Sequence, residues 1–149
     1  MSIISKFRRM TVYVFSSAIV ISLLVLSACG DSSPSATEIT ANQLKANTWR
    51  ISSVMVDATD QTALFTNMTL SFTASEYTTT NGKAVWPASG TWSFTDNTAK
   101  KIKRSDNVEV TIIEINDTSL KLSLNWATNS FGPGRVESVA GNHLFSFVK

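Results

Sequence analysis

Apolar and polar residues alternate through most of the chain beyond residue 47. In "NMTLSFT", Met68, Leu70 and Phe72 fall on one face and Thr69, Ser71 and Thr73 on the other. "SLKLSLNWA" repeats this with Leu120, Leu122, Leu124 and Trp126 against Lys121, Ser123 and Asn125. "GTWSFTD" sets Trp92 and Phe94 together, and "HLFSFVK" does the same with Phe145 and Phe147. Successive side chains of a strand point to opposite faces, so this period of two predicts strands with one face in a core and one in water. Two runs change phase. "TWRISSVMV" begins on Trp49 and Ile51 and shifts near Ser52-Ser53; "NVEVTIIEI" begins on Val108, Val110 and Ile112 and shifts at Ile112-Ile113. One extra residue in the strand, a β-bulge, is the expected cause of each shift.

Turn residues separate the runs at short intervals: Asn81-Gly82, Asp96-Asn97, Ser105-Asp106-Asn107 and Asn116-Asp117. The strands so bounded are 48–57, 67–74, 76–80, 84–95 (open to a break at Pro87), 99–104, 107–116, 118–127 and 142–148. Residues 38–46, "EITANQLKA", predict about two helical turns ahead of the first strand. Eight short strands joined mostly by tight turns give an all-β antiparallel meander. Closing it into a barrel removes both exposed edges, and such a barrel is filled by side chains or holds one small ligand. A two-sheet sandwich satisfies the same pattern and stands as the alternative.

The N-terminal segment follows a different rule. Lys6, Arg8 and Arg9 precede a mostly apolar run from Met10 to Ala28, the order of a secretory signal peptide. A transmembrane helix is the competing reading. Four serines and a threonine dilute the run, and no basic cluster follows it. At its end Leu26-Ser27-Ala28-Cys29 resembles the lipobox of bacterial lipoproteins. The resemblance implies cleavage between Ala28 and Cys29 and a diacylglycerol thioether on the Cys29 sulfur. It also implies acylation of the new amine, and two or more chains anchor a protein stably where one binds marginally. Gly30 follows the cysteine where Asp would signal inner-membrane retention, which implies the outer membrane. Cys29 is the sole cysteine, so no disulfide can form within the chain.

The expected organisation is therefore a signal peptide over 1–28, a lipidated Cys29 with a flexible tether over 29–38, and a β-domain over 39–149. "GDSSPSATE" offers little apolar surface to bury, as a tether should. The three leader cations would leave with the signal. The thirteen Lys and Arg of the whole chain then fall to ten, against eleven Asp and Glu. That balance gives no ground for a nucleic-acid partner. The one basic cluster, "KKIKR" over Lys100–Arg104, reads as the solvated face of an edge strand, where like charges block unwanted pairing; an anionic partner is the alternative.

In "NTWRIS", "LSFT", "EYTTTNG", "VWPASGTWSFTD", "KLSL" and the closing "GNHLFSF", in that order, residues 44–149 resemble the lipocalin-like domains of many small lipoproteins of Gram-negative bacteria. The resemblance implies the eight-stranded barrel and, less directly, a ligand inside it.

Chemistry-bearing residues are few. His143 is the only histidine, which excludes a zinc site built on several histidines and leaves one base for any triad. Its place in the last strand, after Asn142, suits a structural role. Asp57 and Asp60 sit on a strand-end loop, where they cap a turn; calcium is the alternative there. Glu109 and Glu114 flank the phase change. No phosphate loop, dinucleotide fingerprint or nucleophile elbow is present. The expectation is a non-enzymatic protein with neither cofactor nor metal. "SFGPGRV" reads as a flexible crossing into the last strand. Trp49, Trp92 and Trp126 are expected in the core. Trp86, beside the strand-breaking Pro87, is expected at a barrel rim, where with Phe131 and Arg135 it lines a ligand mouth. Two functions fit: binding of a small apolar or amphipathic ligand, or docking onto another envelope protein.

Overall fold

The computed structural model describes residues 33–149 except 131, 132 and 134–136. The leader, Ala28, Cys29, Phe131 and Arg135 lie outside the described residues. Pro34–Lys149 form one compact unit whose core is enclosed within it. The helix α1 (Ala36–Lys45) starts two residues before the expected point, because Ser35 caps it by accepting the Glu38 amide at 3.2 Å. Leu44 is its buried residue, and the Leu44 carbonyl accepts the Trp49 indole N–H at 3.0 Å. That bond ties the helix end to the first strand.

The strands are β1 (Thr48–Val56), β2 (Thr59–Asp60), β3 (Thr69–Phe72), β4 (Glu76–Thr80), β5 (Ser89–Phe94), β6 (Lys101–Arg104), β7 (Glu109–Ile115), β8 (Ser119–Trp126) and β9 (Gly141–Val148). From β3 to β9 each strand pairs antiparallel with the next, while β1 pairs with both β3 and β9. Eight strands thus close into a barrel and β2 is an extra strand on the end of β1. Closure excludes the sandwich. It also corrects the reading of "KKIKR": β6 is paired on both sides by β5 and β7 and is no edge.

Both bulges fall at the expected places, since pairing slips between Ile51 and Ser53 and between Ile112 and Glu114. Their effect is to keep the apolar set inside after the slip. Val54 and Val56 are buried like Trp49, and Ile113, the surplus residue of β7, is turned outward and is 57 % exposed. The predicted strand over 84–95 begins only at Ser89. Pro87 has no amide to donate, and residues 82–88 instead form a loop that inserts Val85 and Trp86 into the barrel, with the Gly82 carbonyl accepting the Trp86 amide at 2.9 Å. Val85 and Trp86 are buried at 0 % and 1 % exposure. The expected rim position of Trp86 is therefore corrected: the ring lies in the core.

β2 was not legible because its turn lacks glycine. Val56 pairs with Thr59 across Asp57 and Ala58, which have φ of 45° and 68°. Positive φ at both central residues is the geometry of a two-residue hairpin that Asn-Gly or Asp-Gly normally marks. Alanine in the left-handed region costs roughly 1–2 kcal/mol, partly offset by the freedom that glycine restores to the unfolded chain. Ala58→Gly is expected to stabilise the barrel by about 0.5–1 kcal/mol. A urea midpoint unchanged or lowered by the substitution would show that this turn is not strained.

Candidate functional site

The barrel interior carries the candidate site, and its least expected member is a cation. On β6 the inward residues are Ile102 and Arg104, at 0 % and 2 % exposure, while Lys101 and Lys103 face water. Strand parity puts Arg104 inside, so it must be paired there. Its Nε donates to Asp106 Oδ1 at 3.1 Å, its Nη2 to Asp106 Oδ2, and its Nη1 to the Val85 carbonyl at 2.8 Å. The guanidinium carbon stands 4.5 Å from the Trp86 ring centroid and 5.8 Å from that of Tyr77. Burial disfavours ionisation of Asp106, but the Arg104 hydrogen bonds and charge, with the Val108 amide, outweigh it and hold its carboxyl below the usual range. Tyr77 shifts upward, chiefly by burial, with Arg104 opposing. Its ring lies across Gly90, where a Cβ would stand 2.6 Å from Tyr77 Oη. Arg104 therefore fastens the inserted loop, through Val85 and Trp86, to the turn after β6.

Beside this cluster the interior is aromatic. The Phe145 ring lies 5.2 Å edge-on from Phe65, 6.3 Å edge-on from Trp86, and 5.6 Å parallel to the His143 ring. Trp49 and Trp92 satisfy their indole N–H groups on the carbonyls of Leu44 and Glu76. Three other ring nitrogens do not. Trp86 Nε1, Trp126 Nε1 and His143 Nε2 are buried with no hydrogen-bond partner among the described residues. Such a group loses its water without compensation, at about 1–3 kcal/mol each. His143 is fully buried, and its Nδ1 lies 3.1 Å from the Gly141 carbonyl. That carbonyl only accepts, so Nδ1 holds the proton and Nε2 presents a lone pair. Gly141 adopts φ of 139°, and a Cβ there would stand 2.4 Å from Asp57 Oδ2. Glycine is thus required where β9 passes Asp57.

Burial pushes the His143 pKa below its ordinary 6.5, against the opposing pull of the Gly141 carbonyl and the Asp57 carboxylate. A depressed folded value means that the unfolded chain binds the proton first as pH falls. Stability is therefore full above about pH 6.5 and declines as pH drops through the window down to the lower folded value. Urea midpoints at pH 7.5 and pH 5 are expected to differ more in the wild type than in His143→Phe. Equal differences would mean that His143 is not held neutral by the fold.

The other sequence candidates lie outside the interior. Asp60 accepts the Thr62 amide at 2.8 Å in the turn that leads into the 3-10 segment Thr62–Phe65, and Asp57 accepts the Asn142 amide at 3.0 Å. Glu114 pairs with Lys121 at 2.8 Å on the outer surface, and Glu109 is exposed. No group of three or more His, Cys, Asp or Glu side chains comes together among the described residues. Trp86 and Pro87 border an open depression of about 470 Å³ with Asn81 and Lys83, so the inserted loop has a solvent side and a core side. Arg104 and Asp106 escaped the sequence reading although a signal existed. Ile102 and Arg104 share parity, and an acid follows two residues later.

A family model described as a lipocalin-like domain matches residues 46–122, just over half of the chain. No curated protein and no solved structure matches it. The matched span runs from the end of α1 into β8 and includes Arg104, Asp106 and the inserted loop.

Proposed function

We propose, from the premise that this chain belongs to the lipocalin-like domain family, that it is a non-enzymatic binding protein holding one small apolar or amphipathic molecule in its barrel. The observation that carries this reading is the set of orphaned ring nitrogens in an apolar interior. Packing alone does not call for them, since phenylalanine at 143 would fill similar space without the desolvation cost. A ligand with a polar end would supply the partner. Trp86 would contact it from the core side of the inserted loop, with Phe131 and Arg135 as further contacts. The lipobox supports lipid attachment through Cys29, and Gly30 after it favours the outer membrane; such an anchor would keep the barrel close to amphipathic molecules and to envelope proteins.

Native mass spectrometry of residues 30–149, purified gently without the anchor, tests the reading. Added mass that is lost on denaturation supports a loaded barrel. A bare monomer that also takes up no apolar probe supports the second reading, a solid barrel that docks an envelope protein. Its specific support is the filling of the interior by fully buried Trp49, Tyr77, Phe65, Phe145 and Phe147.

A further inference from the structure

We propose that the barrel end formed by Trp126 and His143 recognises a neutral hydroxyl group, the alcohol or phenol end of an otherwise apolar ligand. This rests on the ligand-binding reading above and names the chemistry of the same interior. Register places the two residues together. Leu124 pairs with His143 and Trp126 with Gly141, so Trp126 and His143 are diagonal neighbours on the inner face of β8 and β9. Diagonal neighbours lie about 7–8 Å apart, within reach of aromatic side chains. Phe65, edge-on to the imidazole at 6.3 Å, and Phe145, parallel to it, wall this end with hydrocarbon.

The two orphaned atoms are chemically opposite. Trp126 Nε1 can only donate, whereas His143 Nε2, with its proton committed to the Gly141 carbonyl through Nδ1, can only accept. An ether or ketone oxygen would satisfy the indole and leave the imidazole unpaired. A carboxylate would satisfy the indole and set its charge against the imidazole lone pair. A hydroxyl accepts from Trp126 and donates to His143 at once. Water has the same chemistry, so the test must separate a ligand hydroxyl from an ordered water.

Residues 30–149 are titrated with octan-1-ol and, separately, with heptyl methyl ether, which matches it in heavy atoms but cannot donate. Indole and imidazole resonances are followed by NMR. Octan-1-ol is expected to shift the Trp126 indole and His143 imidazole signals and to bind about tenfold or more tighter than the ether. His143→Phe, which preserves the stack on Phe145, is expected to bring the alcohol down to the level of the ether. Trp126→Phe is expected to do the same, and provides a second route if either variant folds poorly. Equal binding of alcohol and ether by the wild type would overturn the hydroxyl site while leaving the ligand-binding reading in place. A slowly exchanging water that stays at His143 Nε2 in the presence of octan-1-ol would also overturn it. Binding of neither probe, together with a bare native mass, would remove both readings.

Discussion

Asp106→Ala is expected to cost about 3–5 kcal/mol, an unusual loss for a residue whose side chain is 31 % exposed. The cost arises at its partner. Without the carboxylate, Arg104 keeps a full charge at 0 % side-chain exposure with the Val85 carbonyl and two aromatic faces as its remaining contacts. Stranding a buried charge costs more than removing the whole pair. The double substitution Arg104→Met with Asp106→Ala is therefore expected to be more stable than Asp106→Ala alone. Urea unfolding followed by tryptophan fluorescence measures all three proteins. A loss below about 1 kcal/mol for Asp106→Ala, in the range of an exposed ion pair, would show that Arg104 finds water or another partner. The carboxylate is held ionised by the same contacts, so its contribution is present above its ordinary 3.8 and fades as pH falls through its lower folded value.

Phe145→Ala is expected to cost about 3–5 kcal/mol, through lost apolar burial and the cavity left behind. Phe145 is fully buried on β9 and its ring is shared by Phe65, Trp86, His143 and Phe147. These neighbours belong to four places in the chain: the 3-10 turn, the inserted loop and two other positions of β9. A barrel wall fixed by its ladder of hydrogen bonds on both sides cannot easily close over the gap. Apolar cavities of this kind stay dry and accept benzene. Benzene is accordingly expected to raise the melting temperature of Phe145→Ala and to leave the wild type nearly unchanged. A loss under about 1.5 kcal/mol with no response to benzene would show that the interior repacks, and that these rings are not rigidly held.

The period-two pattern was sufficient for eight of the strands in outline, both bulges and most of the apolar inward residues, because alternation is a local property of an extended backbone; it missed β2 and ran β5 back through the inserted loop. Met68, Leu70, Leu120, Leu122 and Leu124 are buried as their spacing requires. The meander followed from turn residues at short intervals, and the expected helix end at 46 and strand start at 48 fall close to the ends of α1 and β1. Closure was a different matter. It depends on β1 meeting β9, with Val54 opposite Phe145 and Val56 opposite His143, and nothing local distinguishes that pairing from a sandwich. The hairpin Asp57-Ala58 was hidden because it forms without the residues that make such a turn easy, held in place by the contact of Asp57 with Asn142. The interior chemistry was hidden for a related reason. A basic residue reads as solvated unless a carboxylate, a carbonyl and an aromatic face converge on it. Asp106 is near Arg104 in sequence, but Val85 and Trp86 reach it only when the inserted loop folds inward. The sequence by itself determined which residues could face a core. The tertiary structure decided which polar groups the core would hold, since desolvation is offset only by partners that folding brings from distant parts of the chain.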